Sequence, residues 1–346
     1  MGGIIMKKRI LSLLILAGLV LTVFVGCSKE PATEVVEAEP VDVKKVFVSP
    51  QWVMSVITGG QEESNKYLII EASKERLKDS SYAKEGHIPG ALYLNIKDIE
   101  DPIYWTLKSP EKMEETLLEL GITKDTVVIL YGSDVSGVAR VATGLIWAGV
   151  DKVKVLDGGL EAWTKAGYEL ETTANNPSPA TDFGAEVPAR PELILPIEDV
   201  RNKLAEEDTN FRLVSIRSYE EFTGETSGYS FIAKAGEPKG AVWGKAGSEY
   251  VKEDGSLISL DEMKELWADL DFTIDDEISF YSGRSWNASI PFLIMYENGY
   301  TNMTIYDGGW YRWQLNNEFE VQVGDPASGD VTYTTVKELP NDKAAK

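Results

Sequence analysis

An apolar run, Glu277-Ile278-Ser279-Phe280-Tyr281, ends at Ser282, and the next residues, Gly283-Arg284-Ser285-Trp286-Asn287-Ala288-Ser289, lead into a second apolar stretch. This is the pattern of a strand, a tight loop and a helix start. Small residues at a helix N-terminus turn several backbone N–H groups towards one point, where the helix dipole adds partial positive charge. Such a loop suits an anion, or a nucleophile that becomes one. Ser282 stands at its mouth, and a serine hydroxyl needs a neighbouring general base before it can attack anything. The only histidine, His87, lies in the other half of the chain, in a turn. Lys245, Glu237 and Glu249 are the other candidate bases. Nothing in their spacing brings them to Ser282, so a Ser-His-acid triad has no support.

The elements around the loop occur twice. "VVILYG" at 127–132 faces "EISFYS" at 277–282, and Asp157-Gly158-Gly159 faces Asp307-Gly308-Gly309, both at an offset of 150. The same offset pairs Trp163 with Trp313, and the turn Gly86-His87-Ile88-Pro89-Gly90-Ala91 with Gly236-Glu237-Pro238-Lys239-Gly240-Ala241. Four matches at one offset argue for duplication. In the first half "KYLIIEAS", "TVVILYG" and "KVKVLDGG" read as buried strands. "SPEKMEETLLELG", opened by Ser109 and Pro110 and closed by Gly121, and "GVARVATGLIWAGV" read as helices. Strands alternating with helices predict an α/β fold of two tandem domains, each a mostly parallel sheet flanked by helices. In open sheets of this kind ligands bind at the carboxyl ends of the strands, where Ser282 falls. The expected organisation is a targeting segment at 1–26, a flexible tether at 27–44, domain one at 45–171, a Pro- and Asn-rich linker at 172–190, domain two at 191–324 and a polar tail at 325–346.

Together these segments resemble the rhodanese family of sulfurtransferases over roughly residues 45–324, through the "GHIPGAL" turn, the strand-loop-helix unit and the "VKVLDGGLEAW" and "MTIYDGGWYRW" segments. The resemblance implies a non-catalytic first domain. It also implies a second domain whose loop begins with a cysteine, in a pattern like Cys-Gly-Thr-Gly-Trp-Arg-Ala-Ser. That cysteine, as thiolate, takes sulfur from a donor such as thiosulfate, holds it as a persulfide and passes it to a thiophilic acceptor. Here Ser282 stands in the cysteine's place, and oxygen cannot carry the persulfide. The resemblance makes Gly283, Arg284, Ser285, Trp286 and Asn287 the anion-binding loop. Asn287 replaces the family's arginine, and Arg284 is positioned in sequence to supply the missing charge. Arg217, after "FRLVSI", matches the arginine of the family's Asp-x-Arg segment and is expected to hold the loop. The first half's loop has Gly132 opposite Ser282 and carries Asp134, a poor anion site. Trp286, Trp310 and Trp313 are read as packing.

The formal net charge of the 346-residue chain is −22, and setting aside residues 1–26, with Lys7, Lys8 and Arg9, leaves 56 acidic against 31 basic residues. Nucleic acid and anionic lipid surfaces are therefore poor partners. Met6-Lys7-Lys8-Arg9 followed by the apolar Ile10–Val25 and Gly26-Cys27 is a signal-segment pattern too short for a comfortable span. Phe24-Val25-Gly26-Cys27 resembles a bacterial lipobox, which implies lipidation of Cys27 and a location outside the cytoplasm in the cell envelope, with membrane contact through that lipid only. Cys27 is the only cysteine, so no intrachain disulfide and no cysteine-based zinc site can form. No cofactor or metal is expected. Two functions remain open. One is a binding module without sulfur transfer, holding a small anion such as thiosulfate or a thiol or peptide partner. The other is an active sulfurtransferase using an unrecognised or partner-supplied nucleophile.

Overall fold

Short apolar runs, β-branched and buried on both faces, build one five-stranded sheet in each half of the chain. The computed structural model describes residues 34–206 and 209–346. The first half runs β1 (Phe47–Val48), α1 (Pro50–Ile57), β2 (Tyr67–Ser73), α2 (Ser81–Lys84), β3 (Leu92–Asn95), α3 (Pro110–Glu119), β4 (Val127–Tyr131), α4 (Val135–Ala148), β5 (Lys152–Leu156) and α5 (Gly159–Lys165). Its strands lie in the order β1-β5-β4-β2-β3, all parallel. The second half continues with β6 (Ile194–Leu195), α6 (Ile197–Ala205), β7 (Phe211–Ser215), α7 (Tyr219–Phe222), β8 (Glu237–Pro238), β9 (Val242–Trp243) and α8 (Leu260–Leu266). It ends with β10 (Glu277–Tyr281), α9 (Ser289–Glu297), β11 (Met303–Tyr306), α10 (Gly309–Trp313), β12 (Glu320–Asp325) and β13 (Asp330–Thr335). The second sheet, β6-β11-β10-β7-β9, is also parallel and repeats the first strand for strand. The tandem α/β fold read from the sequence is the observed one.

The halves share one apolar core. α9 is apolar all round and buried from Ser289 to Met295, and it packs against α4, buried from Gly137 to Ala148. Each fully buried Leu, Ile, Val or Phe here contributes about 1.5–3 kcal/mol over exposure, so the helices that follow the two loops form the joint between the domains. The duplication shows in that joint. The Leu107 N–H donates to Asp307 Oδ2 at 2.7 Å, and the Leu257 N–H donates to Asp157 Oδ1 at 3.0 Å, each residue pair being related by the offset of 150.

Three segments are more ordered than expected. The tail beyond Gly324 carries β13, which pairs antiparallel with β12 in a three-stranded sheet with β8. Val336 and Leu339 are buried, and Lys343 bonds to Ser227 and Ala233 through its backbone. Its polar composition hid this, because β13 is an edge strand with little to bury. The linker read at 172–190 is irregular but bound to domain one: Phe183 is buried, and Ala180 and Ala189 donate to the carbonyls of Leu118 and Ala148. The described end of the tether is held too. The Val36 N–H donates to Thr58 Oγ1 at 2.9 Å, and the buried Lys154 ammonium donates to the carbonyls of Asp42, Val43 and Lys45. The targeting segment and Cys27 lie outside the described residues.

Candidate functional site

The apolar strand β10 delivers Ser282 to the carboxyl edge of the second sheet, where the residue is 2% exposed. The loop carbonyls turn away towards α10: the N–H groups of Trp310 and Tyr311 donate to Ser282 O and Gly283 O at 2.9 and 3.0 Å. The approach is so close that a Cβ on Gly309 would collide with Ser282 O, which is the physical reason for the repeated Asp-Gly-Gly. Gly283 likewise faces the ring and hydroxyl of Tyr229 with no room for a side chain. Ser285 takes a left-handed φ of 66°, donates from Oγ to Tyr306 O at 2.9 Å, and offers its carbonyl to Ser289 Oγ. With the carbonyls so engaged, the backbone N–H groups of residues 283–288 have no hydrogen-bond acceptor among the described residues. The α9 N-cap, Ala288, has no capping side chain. Buried N–H groups are nearly always paired, and this run of donors is left without an acceptor.

The first half solves the same problem internally. Asp134 caps α4, accepting from the Gly137 N–H at 3.3 Å and the Ser136 hydroxyl at 2.7 Å, and pairs with Lys74 at 3.1 Å. Burial opposes its charge, but the Ser136 hydroxyl, Lys74 and the Gly137 N–H hold its carboxyl below the ordinary value. The first loop thus already contains its anion.

Among the described residues none of the candidate bases is hydrogen-bonded to Ser282. His87 is fully buried in domain one, stacked 3.7 Å from Tyr82, its ring nitrogens facing the carbonyls of Tyr82 and Thr173. Glu237 is bound by Arg217 and by the Tyr281 hydroxyl, Glu249 accepts from the Ala246 N–H, and the Lys245 ammonium lies 4.6 Å from the Trp243 ring centre. The Ser282 hydroxyl has no hydrogen-bond partner among the described residues. Arg217 is buried, and its guanidinium donates to Gly236 O, Glu237 Oε1 and Ser227 O at 3.0, 2.7 and 3.0 Å. It pins the segment beside β10.

The other loop residues diverge. Trp286 is buried and donates from Nε1 to Glu100 Oε1 of domain one at 2.7 Å. The same carboxylate accepts from Arg140 Nε at 3.3 Å, and Arg140 Nη2 reaches Asp307 at 2.8 Å. Burial pushes the Glu100 carboxyl up, against the pull of Arg140. Asn287 packs on Gly247 and faces a polar cleft with Lys74, Asp134 and Glu221. Arg284 faces a different cavity, of about 670 Å³. The two residues read as serving one anion therefore line different cavities, with the left-handed Ser285 between them in the chain. The Arg284 guanidinium lies 4.5 Å from the ring centre of Trp105, 4.9 Å from Trp286 and 5.5 Å from Tyr229, and its Nε is buried without a partner. Trp105 belongs to domain one and also has a left-handed φ, 54°, a conformation that costs a bulky residue about 1–3 kcal/mol and persists only where surroundings enforce it. Glu100, Arg140 and Trp105 went unread in the sequence; only the repeated aspartate pointed towards this joint.

A family model for the rhodanese-like domain matches residues 60–166 and 197–316. The chain belongs to the rhodanese-like family. Among its relatives, thiosulfate sulfurtransferase YnjE of Escherichia coli is 37% identical over 289 residues, 81% of this chain. The chain spans 65% of that relative's length. The 3-mercaptopyruvate sulfurtransferase of Escherichia coli is 27% identical, with 80% of this chain and 97% of the relative covered. The crystal structure of YnjE superposes with a TM-score of 0.74, covering 81% of this chain and 68% of that one. An anaerobic ergothioneine biosynthesis enzyme from Chlorobium limicola, solved with trimethyl histidine, is 30% identical with a TM-score of 0.76 and covers 82% of this rhodanese-like chain and 71% of its own.

Proposed function

We propose that this rhodanese-like protein is a binding module, anchored to the bacterial cell envelope through lipid on Cys27, whose second-domain loop holds a small anion such as thiosulfate and passes no sulfur. The carrying observation is the contrast between the loops: the first is filled by Asp134, whereas the second leaves its N–H groups unpaired beside Arg284. Ser282 supports the second half of the reading. Its hydroxyl has no base to activate it, and oxygen cannot store sulfur as a persulfide. The anchor rests on the order of basic, apolar and Gly-Cys residues at the N-terminus.

The test is calorimetric titration of the full chain in detergent with thiosulfate, beside a thiosulfate:cyanide transfer assay that includes a cysteine-bearing relative. Binding without turnover is expected. The names of the relatives favour a second reading, a sulfurtransferase that works with a thiol supplied by a partner. That reading requires turnover once a thiol protein is added, and turnover by the chain alone overturns the first.

A further inference from the structure

The cavity beside Arg284 has a counterpart in domain one. It measures about 360 Å³ and is lined by the end of β4, the start of α5 and, from domain two, Val251, Gly255 and Leu257. The offset of 150 relates the two linings. Phe231, Tyr311 and Trp105 of the second cavity are matched in the first by Ser81, Glu161 and Gly255, so a hydroxyl, a carboxylate and bare backbone stand where the other has rings. The first loop also stands further from its helix. In domain two the N–H groups of Trp310 and Tyr311 reach the carbonyls of Ser282 and Gly283. In domain one the matching carbonyls, of Gly132 and Ser133, have no donor among the described residues. A Cβ on Gly159 would lie 3.0 Å from Gly132 O, whereas one on Gly309 would collide with Ser282 O.

This lining offers acceptors. Ser81 donates its hydroxyl proton to Glu71 Oε1 at 2.7 Å, so towards the cavity its Oγ can only accept. Behind it Glu71 is 1% exposed, with Oε2 buried and unpartnered. Asp157 takes the Leu257 N–H on Oδ1 and leaves Oδ2 free among the described residues. Glu85 and Glu161 are exposed members of the same lining, which contains no basic side chain. Lys165 pairs with Glu161 and Lys45 with Glu297, but among the described residues neither Asp157 nor Glu85 has a cation within ion-pair distance. The opposing field is that of the α5 N-terminus, about half a charge, and α5 carries Glu161 in its own first turn. The remaining wall is apolar, with Val138, Val155 and Leu156 buried. At about 30 Å³ per water the volume equals about 12 waters, within the range of sites for organic molecules, about 300–1,000 Å³.

We infer that this domain-one cavity binds an organic cation, its ammonium group held by Asp157 and the free carbonyls of Gly132 and Ser133, its apolar body against Val138, Val155 and Leu156. The site is separate from the anion cradle proposed for the second loop and does not rest on it. Duplication has left two cavities of opposite preference, one beside an arginine and one among carboxylates.

The test is calorimetry on the full chain in non-ionic detergent, at about 0.15 M salt to screen diffuse attraction to the acidic surface. The probes are benzylammonium, benzyl alcohol and ammonium, with protein-free detergent as background. Benzylammonium is expected to bind once per chain, at least tenfold more tightly than either of the others. Asp157→Asn keeps an oxygen for the Leu257 N–H and should weaken benzylammonium at least tenfold. Glu85→Gln should weaken it about threefold, and because Glu85 is exposed and makes no side-chain hydrogen bond among the described residues, this variant decides the matter if Asp157→Asn loosens the joint. Glu119→Gln, exposed on α3 outside the cavity, should leave binding unchanged. Benzyl alcohol binding as tightly as benzylammonium overturns the role of the carboxylates, and ammonium binding as tightly overturns the organic body. No benzylammonium binding, binding indifferent to Glu85→Gln, or an equal loss with Glu119→Gln overturns the site.

Discussion

Replacing Ser282 with cysteine exchanges one atom and leaves the cradle in place, so the introduced thiol reports the field that the loop generates. A helix end stabilises a nearby anion by about 0.5–1 kcal/mol, and one charge-assisted N–H bond adds about 1.5–3 kcal/mol. At 1.36 kcal/mol per unit, the sum of about 2–4 kcal/mol lowers the thiol pKa by about 1.5–3 units. Burial at 2% exposure works the other way, and with about one unit returned the expected value is about 6.5–8, against about 8.5 for a free cysteine. A thiol at about 6.5 has about 25 times more thiolate at pH 7 than a free one, but a Brønsted slope of about 0.4–0.5 takes back about eightfold of that in nucleophilicity. The rate at a single pH is therefore a weak readout, and the midpoint of the alkylation rate against pH is the strong one. The parent chain, whose only thiol is Cys27, supplies the background. Ser282→Cys should also gain one sulfur atom from thiosulfate, releasing sulfite, in the intact mass. A midpoint at or above that of a free cysteine refutes the cradle.

Glu100→Gln removes the charged acceptor shared by Trp286 and Arg140 across the domain joint. With Asp307 still facing Arg140, the expected loss is about 2–3 kcal/mol in urea unfolding, and a loss within error would show that the joint does not depend on it. Asp134→Ala deletes the cap of α4 and should cost about 1–2 kcal/mol, while sulfate stoichiometry rises above one per chain as the first loop opens; unchanged stoichiometry would show that its N–H groups are not a latent site. Cys27→Ser should abolish incorporation of labelled fatty acid and release the protein from the membrane fraction. A parent chain that takes up no label removes the anchor.

The strands and the loop were legible because their signals are local. β2, β4, β5 and β10 are runs of apolar residues, and the Asp-Gly-Gly repeats mark places where a side chain would strike the preceding loop. What the chain does across its two halves was not legible. Arg140 lies in an otherwise apolar helix and Glu100 in an irregular segment, and only the packing of α4 on α9 brings them to one carboxylate cluster with Asp307. Trp105 and Ser285 are residues whose types give no sign of a left-handed backbone, yet both adopt one, at φ 54° and 66°. The polar strand β13 was lost for a related reason: an exposed edge strand needs little apolar content to pair.

The offset of 150 also locates where the halves parted in function. Asp134 and Arg284 occupy equivalent positions, each two residues beyond the head of its loop. With an aspartate there, the side chain folds back onto the helix N-terminus, neutralises its field and ties itself to Lys74. An arginine cannot do this, because like charge is repelled from that end of the helix, so Arg284 swings outward onto Trp105 and the α9 terminus stays uncapped. One exchange of sign at one position thus separates a loop capped by its own carboxylate from one whose N–H groups stay unpaired, the feature on which the proposed anion site rests, and the sheet, the helices and the Asp-Gly-Gly turn that both domains share are unaltered.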